Sequence, residues 1–191
     1  MVPVRCWETA DADYVRYHDE EWGRPVRDER GVYERLCLEG FQSGLSWLTI
    51  LRKRPAFRAA FAGFDPDRVV RFGDDDVEKL LGDAGIVRHR GKIEAAIANA
   101  KATVVLREGG EPLHELFWAH APAQGRPAPA SAADWLPSTA ESAALAGRLR
   151  AAGFRFVGPT TVYAAMQACG VVNDHLAGCW VRADVERERG L

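Results

Sequence analysis

The sequence predicts an all-α fold. Three observations carry this expectation. Apolar residues recur at three- and four-residue spacing in one segment after another. Caps and stops bracket those segments. No stretch alternates with a two-residue period between hairpin turns, and no internal repeat or heptad array is present.

The elements follow in order. Val32, Tyr33, Leu36 and Cys37 share one helical face, with a stop near Gly40. Gly44 precedes a second apolar run, Leu45 to Leu51. Asp65-Pro66 starts a helix, because the carboxylate caps and the ring is already set at helical φ. Asp74 caps 77–81, and Gly82 follows as a stop. Ile93, Ala96, Ile97, Ala100 and Val104 keep the helical period as far as Gly109-Gly110. Pro112 opens a short helix through Trp118. Ser138-Thr139-Ala140-Glu141 has capping-box spacing and begins a helix that runs to Gly153. Pro159 to Cys169 is the last well-marked helix, closed by Gly170. The stretch 121–137, with Gly125, is rich in Pro and Ala and reads as a surface connection without assigned function. A single domain over 1–191 is expected, with a loose tail at 183–191.

Hydrophobic residues make up 47% and charged residues 27%, the balance of a soluble globular chain. No apolar run approaches a membrane span, and Met1 to Asp13 lacks a signal core. The expectation is a cytoplasmic protein with reduced cysteines, in which paired cysteines hold metal sooner than form disulfides. The formal net charge of −2 gives no global attraction to phosphate. Two local basic clusters exist, Arg52-Lys53-Arg54 and the group of Arg88, Arg90 and Lys92 around His89. They are either solvated helix ends or a phosphate-facing patch.

Metal-type residues sit at both ends of the chain. His175 and Cys179 are four apart, which places both on one face of a helical turn. Cys6 and His18 lie near the other terminus. Together they make either a closed Cys2His2 zinc site that ties the termini, or two free thiols and two ordinary histidines; no tight Cys-x-x-Cys pair decides. Cys37 and Cys169 lie in apolar helical stretches and are core residues. Ahead of the last marked helix, 153–161 reads as a helical hairpin. Such a turn points backbone N–H groups and a helix N-terminus outward, which suits a phosphate; a plain helix–helix turn has the same sequence.

Longer motifs carry a resemblance. Arg5-Cys6, Tyr14-x-x-Tyr17-His18-Asp19-x-Glu21-Trp22-Gly23, 38–47 (LEGFQSGLSW), 83–93 (DAGIVRHRGKI), 153–158 (GFRFVG), 166–175 (MQACGVVNDH) and Cys179 resemble the DNA-3-methyladenine glycosylase I family over about residues 5–180. The resemblance implies the helix-hairpin-helix glycosylase fold and a structural Zn2+ held by Cys6, His18, His175 and Cys179. It implies a monofunctional hydrolase of N-glycosyl bonds that releases free 3-methyladenine from alkylated double-stranded DNA, working as a monomer. Glu39 binds the base edge and is the catalytic carboxylate, Tyr17 and Trp47 stack on the base, and Tyr14 lines the same pocket. The implied DNA contacts are Gly44, Leu45, Val157, Gly158, Thr160, Arg90 and Lys92. Leu45 is either a wedge filling the gap left by an everted base or the start of a core stripe with Leu48.

Two absences bear on mechanism. Where related enzymes carry an Asp after the hairpin helix, Asn173 aligns, and where lyases carry a nucleophilic Lys, Thr160 stands. Trp7 follows Cys6 directly, one residue closer than the family pattern, which unsettles a pocket role for Trp7. Two other classes remain at this stage. One is a non-catalytic hairpin DNA-binding module. The other is a zinc hydrolase or deaminase using His18-Asp19-Glu20, although no Pro-Cys-x-x-Cys accompanies that His-x-Glu.

Overall fold

Each predicted segment becomes a helix in the computed structural model, which describes residues 4–123 and 127–190. Gly125 of the Pro/Ala connection lies outside the described residues. Among these residues there is no strand. The helices are α1 Ala12–Glu20, α2 Glu29–Gln42, α3 Trp47–Ala60, α4 Pro66–Val69, α5 Asp74–Gly82, α6 Arg90–Glu108, α7 Leu113–Ala119, α8 Ala140–Ala151, α9 Pro159–Ala168 and α10 Arg182–Arg189. No helix is long and apolar enough to cross a membrane.

α2 is the axis of the core. It is buried from Val32 to Phe41 at every position except the half-buried Arg35, and α3, α6, α7 and α9 pack around it. Such all-round burial explains why it continues through Gly40 to Gln42, because packing outweighs the small helix propensity of one glycine. α3 likewise runs past Leu51 and through Pro55 to Ala60.

Some caps differ from expectation. α5 starts on Gly73, whose N–H donates to the Asp76 carboxylate at 3.1 Å; Asp74 is already helical. α8 is capped by Thr139, and its box partner is Ser142 in place of Glu141.

Two regions depart further. α1 gave no apolar period, yet Asp11 caps it by accepting the Tyr14 N–H at 2.9 Å. Residues 183–189 are no loose tail. Val185 is fully buried, and Arg189, 7% exposed, donates to the carbonyls of Gly170 and Val171 at 2.9 Å each. The arginine satisfies backbone acceptors beyond α9, so a highly charged helix is anchored by one apolar residue and one cation.

The termini meet at a close crossing. Gly23 N–H donates to Gln167 O at 3.2 Å and Val26 N–H to Cys169 O at 2.9 Å. Gly170 has φ +70, and a Cβ there would come within 2.4 Å of Gly23 O. Only glycine permits both the left-handed backbone and that approach.

Candidate active site and metal centre

The crossing brings four metal-type side chains together. Cys6 precedes α1, His18 ends it, and His175 and Cys179 lie between α9 and α10. All four are buried, and their ligand atoms lie within 4.8 Å of one another. Cys6 Sγ is 3.2 Å from His175 Nδ1, and Cys179 Sγ is 3.5 Å from both His175 Nδ1 and His18 Nε2. The other ring nitrogens are committed outward. His18 Nδ1 is 2.7 Å from Asp19, itself gripped by Arg5, and His175 Nε2 is 2.9 Å from Trp22 O. Those partners select the tautomers that turn a lone pair of each ring toward the thiols. The hydrogen bond between the two thiols pushes Cys6 up and holds Cys179 down. Two sulfurs and two imidazole nitrogens at these separations suit a tetrahedral metal ion with no open position.

The rings of this knot abut a second feature. His18 meets Trp7 edge-on with centroids 4.7 Å apart, and His175 meets Trp22 at 4.6 Å. Trp7 and Trp22 are walls of a cavity of about 340 Å³. α1 supplies Tyr14 and Tyr17, α2 supplies Glu39 and Gln42, α3 supplies Trp47 and α9 supplies Ala164 and Gln167. The rings form one chain: Trp7 lies 5.1 Å from Tyr14, Tyr14 6.4 Å from Tyr17, and Tyr17 5.2 Å from Trp47.

Glu39 is the carboxylate of the cavity. It is 7% exposed, and burial pushes its carboxyl up to about 8. Burial also raises the hydroxyls of Tyr14 and Tyr17, and the Glu39 charge adds to both. Both phenols therefore stay protonated donors. The indole N–H groups of Trp7 and Trp47 are buried without an acceptor among the described residues.

The sequence-derived site residues divide into groups. Glu39, Tyr17, Trp47 and Tyr14 share the cavity, and the four metal-type residues share the knot. Trp7 joins the cavity despite its shortened spacing from Cys6. Gly44 and Leu45 form an exposed tip between α2 and α3, with Leu45 43% exposed, so the core-stripe reading of Leu45 does not hold. Gly158 caps α9 and Thr160 is exposed on its first turn, whereas the Val157 side chain is buried and leaves only its backbone to face a ligand.

Lys92 departs from its expected phosphate role. Its ammonium is buried and donates to Phe41 O and Ser43 O at 2.8 and 2.6 Å, holding the C-terminal end of α2. Arg90 is exposed but paired with Glu78 at 2.5 Å. The Arg52-Lys53-Arg54 cluster is also engaged, with Asp11, with the carbonyls of Ala84 and Gly85, and with Glu21 respectively.

Sequence reasoning missed Gln42, Gln167, Trp22, Trp135 and Asp174. Asp174 accepts from Tyr163 and from the Gln167 amide at 2.8 Å, which fixes Gln167 in the wall. The neighbouring Asn173 turns away to Arg182 O and Glu186. The hairpin between α8 and α9 is clamped by Asn99, whose amide accepts the Arg155 N–H at 2.7 Å and donates to its carbonyl at 3.1 Å. Phe156 holds φ +55 there, a left-handed conformation uncommon outside glycine.

A cavity walled by aromatic rings around one buried carboxylate, in an all-helical chain, defines the class: a helical protein with a receptacle for a planar, electron-poor ring system. The chain belongs to the methyladenine glycosylase family, whose model matches residues 7–183. It is 48% identical to DNA-3-methyladenine glycosylase 1 of Escherichia coli K12 over 92% of this chain and 95% of that relative. It is 40% identical to DNA-3-methyladenine glycosylase of Haemophilus influenzae over 92% of this chain and 96% of the relative. A crystal structure of 3-methyladenine DNA glycosylase I superposes with a TM-score of 0.89 at 47% identity, covering 93% of this chain and 98% of that one. The Staphylococcus aureus enzyme, described for its recognition of 3-methyladenine, gives a TM-score of 0.86 at 32% identity, covering 91% and 93%.

Proposed function

We propose that this protein repairs alkylated double-stranded DNA by hydrolysing the N-glycosidic bond of 3-methyladenine, leaving an abasic site. The observation that carries the reading is a buried Glu39 in a cavity lined by aromatic rings, in a chain of this family. The everted base is a cation. Ring faces of Tyr17, Trp47 and Tyr14 favour it electrostatically, and ionised Glu39 accepts hydrogen bonds from its exocyclic amine. Guanine presents an acceptor oxygen in that place, so the same carboxylate disfavours it. The purine's N1 and N7 keep lone pairs, and the buried indole N–H of Trp7 is a donor for one of them.

Departure of the base is the chemical step. The glycosidic bond breaks, its electron pair neutralises the base, and C1′ becomes electron-poor. Water adds at C1′ and its proton passes to solvent. Thr160 offers no amine to attack C1′, so no Schiff base forms and no strand is cut. A duplex with one 3-methyladenine tests this. The expected outcome is a site that breaks only on alkali treatment, with no enzyme-made nick and no borohydride-trapped adduct. A trapped adduct contradicts it.

Cys6, His18, His175 and Cys179 hold one zinc ion, whose role is to fix the two termini. Two thiolates and two imidazoles are the donor set that zinc takes in closed structural sites. The His-x-Glu alternative fails on this reading: all four donors are spent, and Glu20 is exposed, outside the buried cluster.

Leu45 fills the space left in the duplex, and Gly158, Thr160 and the Val157 backbone hold a phosphate. Leu45→Ala is expected to lower excision from duplex by about tenfold while leaving affinity for the free base unchanged. Equal excision by the variant removes the wedge role.

A further inference from the structure

The connection 121–137, which the sequence left without a task, supplies part of the cavity wall through Trp135 and Leu136. Trp135 and Leu136 line it together with the carboxylate of α2 and the phenols of α1. Trp135 meets Trp7 and Trp22 edge-on, with centroids 6.4 and 6.0 Å away and planes at 69° and 72°. At these angles neither ring lies stacked flat on the Trp135 indole.

The wall is built in. Trp135 Nε1 donates to Asp174 O at 2.9 Å. Pro129 O accepts the Ala177 N–H at 2.8 Å. The Asp134 carboxylate accepts the N–H groups of Ala130 and Ser131 at 3.1 and 2.8 Å, closing the turn before the tryptophan. Both outward ties go to the segment between α9 and α10, which also carries His175 and Cys179. Only half-buried itself, Trp135 packs against the small apolar cluster of Cys6, Tyr17 and Trp22 and leaves the rest of its ring at the cavity.

We infer that Trp135 is a base-contacting residue, whose indole face covers the everted purine and sets how firmly the cavity retains it. The inference rests on the proposed function. An electron-rich face in the cavity that holds Glu39 adds a second attraction for the cationic base, and apolar cover excludes water from the site.

Two variants separate face contact from scaffold. Trp135→Leu and Trp135→Phe both lose the N–H bond to Asp174, and both keep apolar cover, but only phenylalanine keeps a ring face. Affinity for free 3-methyladenine is read by equilibrium dialysis, and excision from methylated duplex as kcat/KM. Leucine is expected to cost about tenfold in both, phenylalanine no more than about threefold. Metal content and thermal midpoint are expected to match the wild type in each. Variants that both equal the wild type, or that weaken equally, overturn the inference while wild-type excision stands. A wild-type protein that neither binds nor releases the base overturns the function itself.

Discussion

Glu39→Gln is expected to fold normally, to become more stable than the wild type as pH rises, and to lose excision by about 10²-fold or more. The two effects share a cause. Folded Glu39 keeps its proton to about pH 8, against an ordinary value of 4.5. Between those values the folded chain binds more protons than the unfolded one, so the wild type loses stability as pH rises through the window. Below it both states are protonated and the penalty vanishes. Above it the full penalty remains, of order 3–5 kcal/mol for a group this buried. Glutamine carries no such penalty. The same carboxylate is what the cationic base requires, so wild-type kcat/KM should rise with pH and level off above about 8. The glutamine variant should show a flat, low profile. Thermal melts and excision rates at pH 5, 7 and 9 check both halves (the values flank the window). A variant that retains full excision removes Glu39 from the reaction.

Removing the metal is expected to have the largest effect on stability. The four donors come from opposite ends of the sequence, so one ion closes a loop of nearly the whole chain. Losing it leaves four buried polar groups around a void and frees α1 from the α9–α10 segment. A loss on the order of 5 kcal/mol is expected, which lowers the midpoint of a chain this size by about 10–20 °C. Cys179→Ser should reproduce the effect of a chelator. Excision should fall as well, because His18 and His175 buttress Trp7 and Trp22, which wall the cavity. Cys37 and Cys169 provide the contrast. Both are buried in the main core, where burial pushes each thiol up to about 12, and alanine there should leave metal content unchanged. Melting with and without chelator, alongside metal analysis, reads the outcome. A midpoint indifferent to stoichiometric metal loss contradicts the structural role.

How much of this was legible in the sequence depended on whether a residue acts through local or long-range contacts. Asp65-Pro66 marks α4, and the 93–104 period marks α6, because a cap and an amphipathic face are local properties. α10 was illegible for the opposite reason. Its sequence is almost wholly charged, and its place depends on Val185 and on Arg189 reaching carbonyls about twenty residues earlier. Lys92 looked like a phosphate contact among arginines, yet the turn after α2 brings two carbonyls to its ammonium.

The site divides in the same way. Cys6, His18, His175 and Cys179 stood out as metal-type residues, but only the crossing at Gly23 and Gly170 makes them one cluster. Glu39 was one acidic residue among many until a family motif singled it out, and its burial then explains why the chemistry needs it. Trp135 carried no signal, since it lies on an irregular segment and is fixed by a bond to Asp174 O. Gln167 was hidden likewise, because its partner Asp174 lies beyond the end of α9.

The most direct test of the account is chromatography of the bases that the purified, metal-loaded protein releases from methylated duplex DNA. Free 3-methyladenine, released by wild type and not by Glu39→Gln, is the expected result. A folded wild-type protein that leaves 3-methyladenine in the duplex contradicts it.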